Sequence, residues 1–164
     1  SYSMSADPPP YAELYCRSNY SFLVGASEPE ELVERAAAKL YTAIALTDEC
    51  SVSGVVRAHL AARECGIHFI VGSEILLTTA GGHPHARIVF LAQDRRGYGN
   101  LCEAITLARR RAGKGHYLAE VADFEGKTAK APDLAGLPGC VAKDATRPIR
   151  TRIRIEEADT VLSP

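Results

Sequence analysis

The run Ala43-Ile-Ala-Leu-Thr47 constrains the fold of this chain more than any other stretch. It is apolar without alternation, which suits a strand covered on both faces, as in a parallel sheet flanked by helices. Helical patterns lie on both sides of it. Upstream, Ser27-Glu-Pro-Glu30 has capping-box spacing, which predicts Ser27 as the cap of a helix. Pro29 would sit in its first turn, and Glu28, Glu30 and Glu31 at the positive end of its dipole. Leu32, Val33, Ala36, Ala37 and Leu40 then recur on one face. Downstream, a second helix is expected from about Gly54 to Cys65, ended by Gly66.

The other segments continue the alternation. Ala12 to Tyr15 reads as a short strand, and His68-Phe-Ile-Val71 and Glu74-Ile-Leu-Leu-Thr78 as two more. Ala80-Gly-Gly-His-Pro84 turns the chain into the strand Arg87-Ile-Val-Phe-Leu-Ala92. Asp94-Arg-Arg-Gly97 leads into a helix from about Tyr98 to Arg111. Repeated strand–helix alternation predicts an α/β fold with parallel pairing. In the tail, Arg150-Thr-Arg-Ile-Arg-Ile155 alternates strictly, the mark of a half-buried strand that would cover an open sheet edge.

At 164 residues and 46% apolar composition, the chain can bury the core of one domain. A net charge of −1 argues against affinity for nucleic acid or membrane driven by bulk charge. No apolar run approaches the ~18 residues of a membrane span. No basic-then-apolar leader precedes the domain, so a cytoplasmic location is the expectation. Ser1 to Ser3 before Met4 look like an expression remnant, and Pro8 to Pro10 like an unstructured entry. Five cysteines, widely spaced and without a Cys-x-x-Cys pair, read as reduced thiols. The tyrosines and phenylalanines form no stacking platform along the sequence. Arg109-Arg-Arg111 and Lys114 read as a solvated, dipole-matched helix end.

Two segments carry a family likeness. Tyr11-Ala-Glu-Leu-Tyr-Cys-Arg-Ser-Asn-Tyr-Ser-Phe-Leu-Val-Gly25 and Ala45-Leu-Thr-Asp-Glu-Cys-Ser-Val-Ser-Gly54 resemble the start of the PHP (polymerase and histidinol phosphatase) domain. The wording is that of bacterial C-family, DnaE-type DNA polymerases, closest to their error-prone branch. Gly66 to Glu74, Ile88 to Ala92, Gly97 to Leu101 and Leu134 to Cys140 resemble later family segments in the same order. The resemblance implies a distorted β/α barrel with metals at the C-terminal ends of the strands. A whole barrel of this kind needs roughly 250 residues, so half to two-thirds of one is expected here. The implied organisation is a leader over 1–10, a partial PHP-like domain over 11–142 and an unfamiliar tail over 143–164.

The family's metal ligands map onto altered residues. The first three histidine positions hold Glu13, Tyr15 and Arg17, and the aspartate before the glycine is Val24. Glu49 replaces the histidine after Thr47-Asp48, Glu74 is retained, and Arg87 replaces the histidine before the Ile88 strand. Arginine stays protonated and cannot ligate. The resemblance therefore implies no cofactor and no catalytic residue. The expectation is that Arg17 and Arg87 stand in for lost cations, pairing bidentately with two or more of Glu13, Asp48, Glu49 and Glu74. If a cation is held at all, Glu13, Glu49 and Glu74 are its ligands, with Cys50 or His68 nearby. Such a set favours weak magnesium or manganese.

The function implied is a structural, non-catalytic domain of an error-prone polymerase α-subunit homologue, whose parent copies damaged template in DNA repair and replication. Its partners would be other polymerase domains or accessory proteins, with DNA only indirectly, and no membrane. The alternatives are a metal-dependent phosphoesterase or 3′–5′ exonuclease with a reduced metal site, and an inactive fragment pairing with a second copy through its open edge.

Overall fold

The computed structural model describes residues 11–21, 25–124, 136–149 and 161–162. In chain order the elements are β1 (Ala12–Glu13), α1 (Pro29–Ala38), β2 (Ala43–Leu46), α2 (Val55–Cys65), β3 (His68–Thr78), β4 (Pro84–Ala92), α3 (Arg95–Arg110), β5 (Ala119–Glu120) and β6 (Cys140–Asp144). The strands form one mixed sheet in the order β1-β2-β3-β4-β6, with β5 beside the end of β3. This is a partial α/β barrel.

β1, β2 and β3 are parallel, and all four residues of β2 are buried, as its unbroken apolar run requires. One face of the sheet presents Ile44, Leu46, Phe69 and Val71 to Val33 and Ala36 of α1 and to Val55, Ala58 and Ala62 of α2. Further along that layer, Ile75, Leu77 and Phe90 meet Leu101 and Ala108 of α3, and Phe90 stacks on Phe124. The other face gathers Ala43, Ala45, Ile70, Val89, Leu91 and Val141 under Leu14, Ala145 and Ile149.

The structure corrects several sequence expectations. Pairing is not wholly parallel: β3 and β4 form an antiparallel hairpin, and β6 is antiparallel to β4. The link between Thr78 and Pro84 is too short for a parallel crossover. His68–Val71 and Glu74–Thr78 are one strand, because the chain stays extended through Gly72 and Ser73. The cap of α1 is Glu28, boxed with Glu31, one residue later than predicted. Pro29, without an N–H, takes the first helical position and fixes the cap before it. Leu40 leaves the apolar stripe: it lies past the end of α1 with φ 61° and is 74% exposed. α3 begins at Arg95 rather than Tyr98, because Asp94 accepts a hydrogen bond from the Gly97 N–H. The expected strand at 150–155 and the leader at 1–10 lie outside the described residues.

Candidate functional site: an arginine–carboxylate cluster

The site is assembled where the chain leaves β1 and β2 and crosses the middle of β3. Thr47 anchors the first loop: its Oγ1 accepts from Cys16 N (3.0 Å) and donates to Cys16 O (3.2 Å). Asp48, 1% exposed, accepts from Ser18 N (2.7 Å), Ser18 Oγ (2.6 Å) and Ser21 Oγ (2.7 Å). Those three donors satisfy a buried carboxylate without a cation. Gly25 is required beside them, since a Cβ there would stand 2.0 Å from the Ser18 carbonyl oxygen. The loop after β2 then bridges to β3, with Glu74 N donating to Asp48 O (3.1 Å) and Cys50 N to Glu74 O (2.8 Å).

Glu74 and Glu49 carry the cluster. Glu74, 1% exposed, is ion-paired to Arg17 and receives the Tyr15 hydroxyl on Oε1 at 3.0 Å. Arg17 also approaches Glu49 Oε2 (3.7 Å) and lies 5.7 Å from the centre of the Tyr15 ring. Arg87 Nη1 reaches Glu49 Oε1 (3.2 Å) and Glu74 Oε2 (3.8 Å). Both arginines pair with site carboxylates, but Arg87 does so through one nitrogen, Nη1, and not through the expected bidentate fork. The pairing includes Glu49 and Glu74 but not Asp48, which the serines hold.

Glu13 is also outside the cluster. Its carboxylate accepts from Tyr15 N (3.1 Å) and Tyr11 Oη (3.3 Å). Glu13, Glu49 and Glu74 therefore do not converge, and no group of three His, Cys, Asp or Glu side chains arranged to hold a metal occurs among the described residues. Val24 lies outside the described residues. His68 opens β3, six residues and roughly 20 Å of strand from Glu74, so it is not near the site. The Cys50 side chain turns into the core beside Ile75 and Leu77. Burial, outweighing the nearby Arg109 charge, pushes its thiol up to about 11.

Two residues join that the sequence patterns do not identify. Tyr117 donates its hydroxyl to Glu49 Oε1 (2.7 Å) and accepts from Leu76 N (3.0 Å). Arg109 is not a solvated helix end: it donates to the carbonyls of Cys50 (3.1 Å) and His116 (3.2 Å), with its guanidinium 5.2 Å from the centre of the Tyr117 ring. Arg111, expected to be solvated as well, pairs with Asp123. Burial acts to raise the Glu49 carboxyl, but the Tyr117 hydroxyl, Arg87 and Arg17 together hold it below its ordinary value. The Tyr117 hydroxyl is raised, by burial first and then by its bond to Glu49.

These residues do not fit a multi-metal phosphoesterase centre. Two of the positions are arginines, which repel cations and cannot donate a lone pair. The two carboxylates that do meet already receive guanidinium groups and tyrosine hydroxyls.

The cluster sits on β3, β4 and the loops after β1 and β2 of a partial α/β barrel, and the PHP domain family model matches residues 13–162. The chain belongs to the PHP domain family. It is 51% identical over 154 residues to an error-prone DNA polymerase of Bordetella parapertussis, covering 94% of this chain and 15% of that protein. It is 56% identical over 133 residues to one from Dechloromonas aromatica, covering 81% and 12%. The chain thus spans 12–15% of the length of these relatives. Among solved structures, an amidohydrolase from Chromobacterium violaceum, determined with sulfate and no metal, matches with TM-score 0.50 and 32% identity. That match covers 60% of this chain and 33% of the other. A Bifidobacterium adolescentis protein described as a metal-dependent phosphoesterase shares the fold at TM-score 0.51 and 20% identity, covering 63% and 34%. Among the described residues no helix is long and apolar enough to cross a membrane.

Proposed function

We propose that this PHP domain is a non-catalytic, structural part of an error-prone DNA polymerase. The larger protein extends DNA across damaged template in the cytoplasm, and this domain supports its other domains or accessory proteins rather than binding DNA itself. One observation carries this reading: guanidinium groups of Arg17 and Arg87 occupy the carboxylates of Glu74 and Glu49. A hydrolytic centre of this family needs cations there to lower the pKa of water and clamp phosphoryl oxygens. Fixed arginines instead neutralise the acids and tie β3, β4 and the loop after β1 together.

The test is elemental analysis of protein purified without chelators, paired with manganese-supplemented hydrolysis of bis-(p-nitrophenyl) phosphate. The expected result is metal far below one ion per chain and no turnover. Two or three firmly held ions, with hydrolysis abolished by Glu74→Ala, would establish the phosphoesterase reading instead.

A further inference from the structure

Glu13, turned away from the arginine cluster, faces a separate cavity of about 370 Å³. Leu14 and Ile149, both packed on the core of the sheet, line it together with Tyr11 and Tyr15, and the Tyr11 ring also meets the edge of the Tyr41 ring with centroids 4.6 Å apart. Tyr15 is shared by both sites: its hydroxyl is committed to Glu74, and the residue also borders the cavity. Tyr11 and Tyr15 are 49% and 38% exposed, so their rings are reachable from solvent.

The Glu13 carboxylate has one donor on each oxygen, the Tyr15 N–H and the Tyr11 hydroxyl, which leaves lone pairs on both. Among the described residues no lysine or arginine lies within ion-pair distance of it. Arg147 borders the same cavity, but its guanidinium leans toward Asp144 at 3.7 Å and its side chain is 83% exposed. The Glu13 charge is the main cause of a raised Tyr11 hydroxyl pKa, so its field reaches the cavity wall. A single carboxylate is a poor metal site.

We propose that this cavity receives an arginine side chain from a partner polypeptide, its guanidinium paired with Glu13 and stacked against the tyrosine rings. Arginine meets each feature at once. Its planar fork matches both carboxylate oxygens, its face stacks on aromatic rings, and its methylene stem covers apolar surface. Tyr15 already lies beneath one guanidinium, that of Arg17.

The test is amide NMR of the full ¹⁵N-labelled chain, titrated with acetyl-Leu-Arg-Leu-amide and with its citrulline and lysine counterparts. The arginine peptide is expected to shift the amides of Glu13 to Tyr15 and Ala145 to Ile149, saturating in the millimolar range. Binding should fall roughly tenfold with citrulline and in Glu13→Gln. It should survive Arg147→Ala, which removes only a like charge. The same spectra report whether Glu13→Gln stays folded, and Tyr11→Leu offers a second route to the same loss. Absence of shifts up to about 10 mM peptide, equal binding of citrulline or lysine, or loss of binding in Arg147→Ala would each overturn the proposal.

Discussion

Tyr117 donates its hydroxyl to Glu49 at 2.7 Å, joining two residues 68 positions apart. This bond and the two arginines keep Glu49 ionised below the ordinary carboxylate range. A carboxyl whose folded pKa is depressed contributes stability that is present above its unfolded value and lost as pH falls through the folded one. Stability should therefore decline as pH drops below about 4.3. Urea unfolding across pH 3 to 7 should show a shallower decline in Tyr117→Phe. At neutral pH that variant should lose about 1–2 kcal/mol, since a half-buried donor to a charged acceptor is removed. An unchanged pH profile would mean that the bond does not set the Glu49 titration.

Much of this fold is legible in the sequence, and the reason is local. β2 and the apolar face of α1 announce themselves through burial patterns that need no distant partner. The antiparallel hairpin β3–β4 is less visible, because period alone does not give strand direction. Arg17, Glu49, Glu74 and Arg87 are reachable through the family motif that aligns them. Tyr117 and Arg109 are not, since each enters from a region outside the motif and only the fold brings it to Glu49. Glu13 shows the opposite failure: a motif position suggests convergence, yet the local bonds to Tyr11 and Tyr15 hold it aside.

Arg17 should be the costliest single loss in the cluster. Its removal in Arg17→Met leaves Glu74, 1% exposed, with a buried charge whose one remaining cationic neighbour among the described residues is Arg87 at 3.8 Å. Breaking one side of a buried pair costs about 3–5 kcal/mol. The double variant Arg17→Met/Glu74→Gln should recover most of that loss, because no uncompensated charge remains. Chemical denaturation of the four proteins of this cycle measures the coupling. Additive losses would show that the two side chains act separately.

Two glycines of α3 should respond in opposite directions. A Cβ on Gly97 would stand 2.0 Å from the backbone oxygen of Gly139, where the segment before β6 docks against the helix start. Backbone cannot yield there as a flexible side chain would, so Gly97→Ala should destabilise by about 1–3 kcal/mol. A Cβ on Gly99 would meet nothing within 4 Å, and Gly99→Ala should stabilise by about 0.5–1 kcal/mol through helix propensity. Thermal unfolding of both variants distinguishes them. A gain in Gly97→Ala would mean that the Gly139 contact is dispensable.

Leu40 is the position where a single exchange should improve the protein most simply. It follows α1 with φ 61°, and the N–H of Tyr41 reaches back to Ala36 O at 3.0 Å, so the chain closes the helix through a left-handed residue. A leucine in that conformation costs about 1–2 kcal/mol relative to glycine. With 74% of its surface exposed, its side chain offers little burial in return. Leu40→Gly should therefore raise stability by about 1 kcal/mol and the melting temperature by roughly 2–4 °C. Leu40→Ala, which keeps the Cβ and the same backbone penalty, should give no such gain. Equal melting temperatures for Leu40→Gly and Leu40→Ala would place the effect in the leucine side chain rather than in the left-handed backbone.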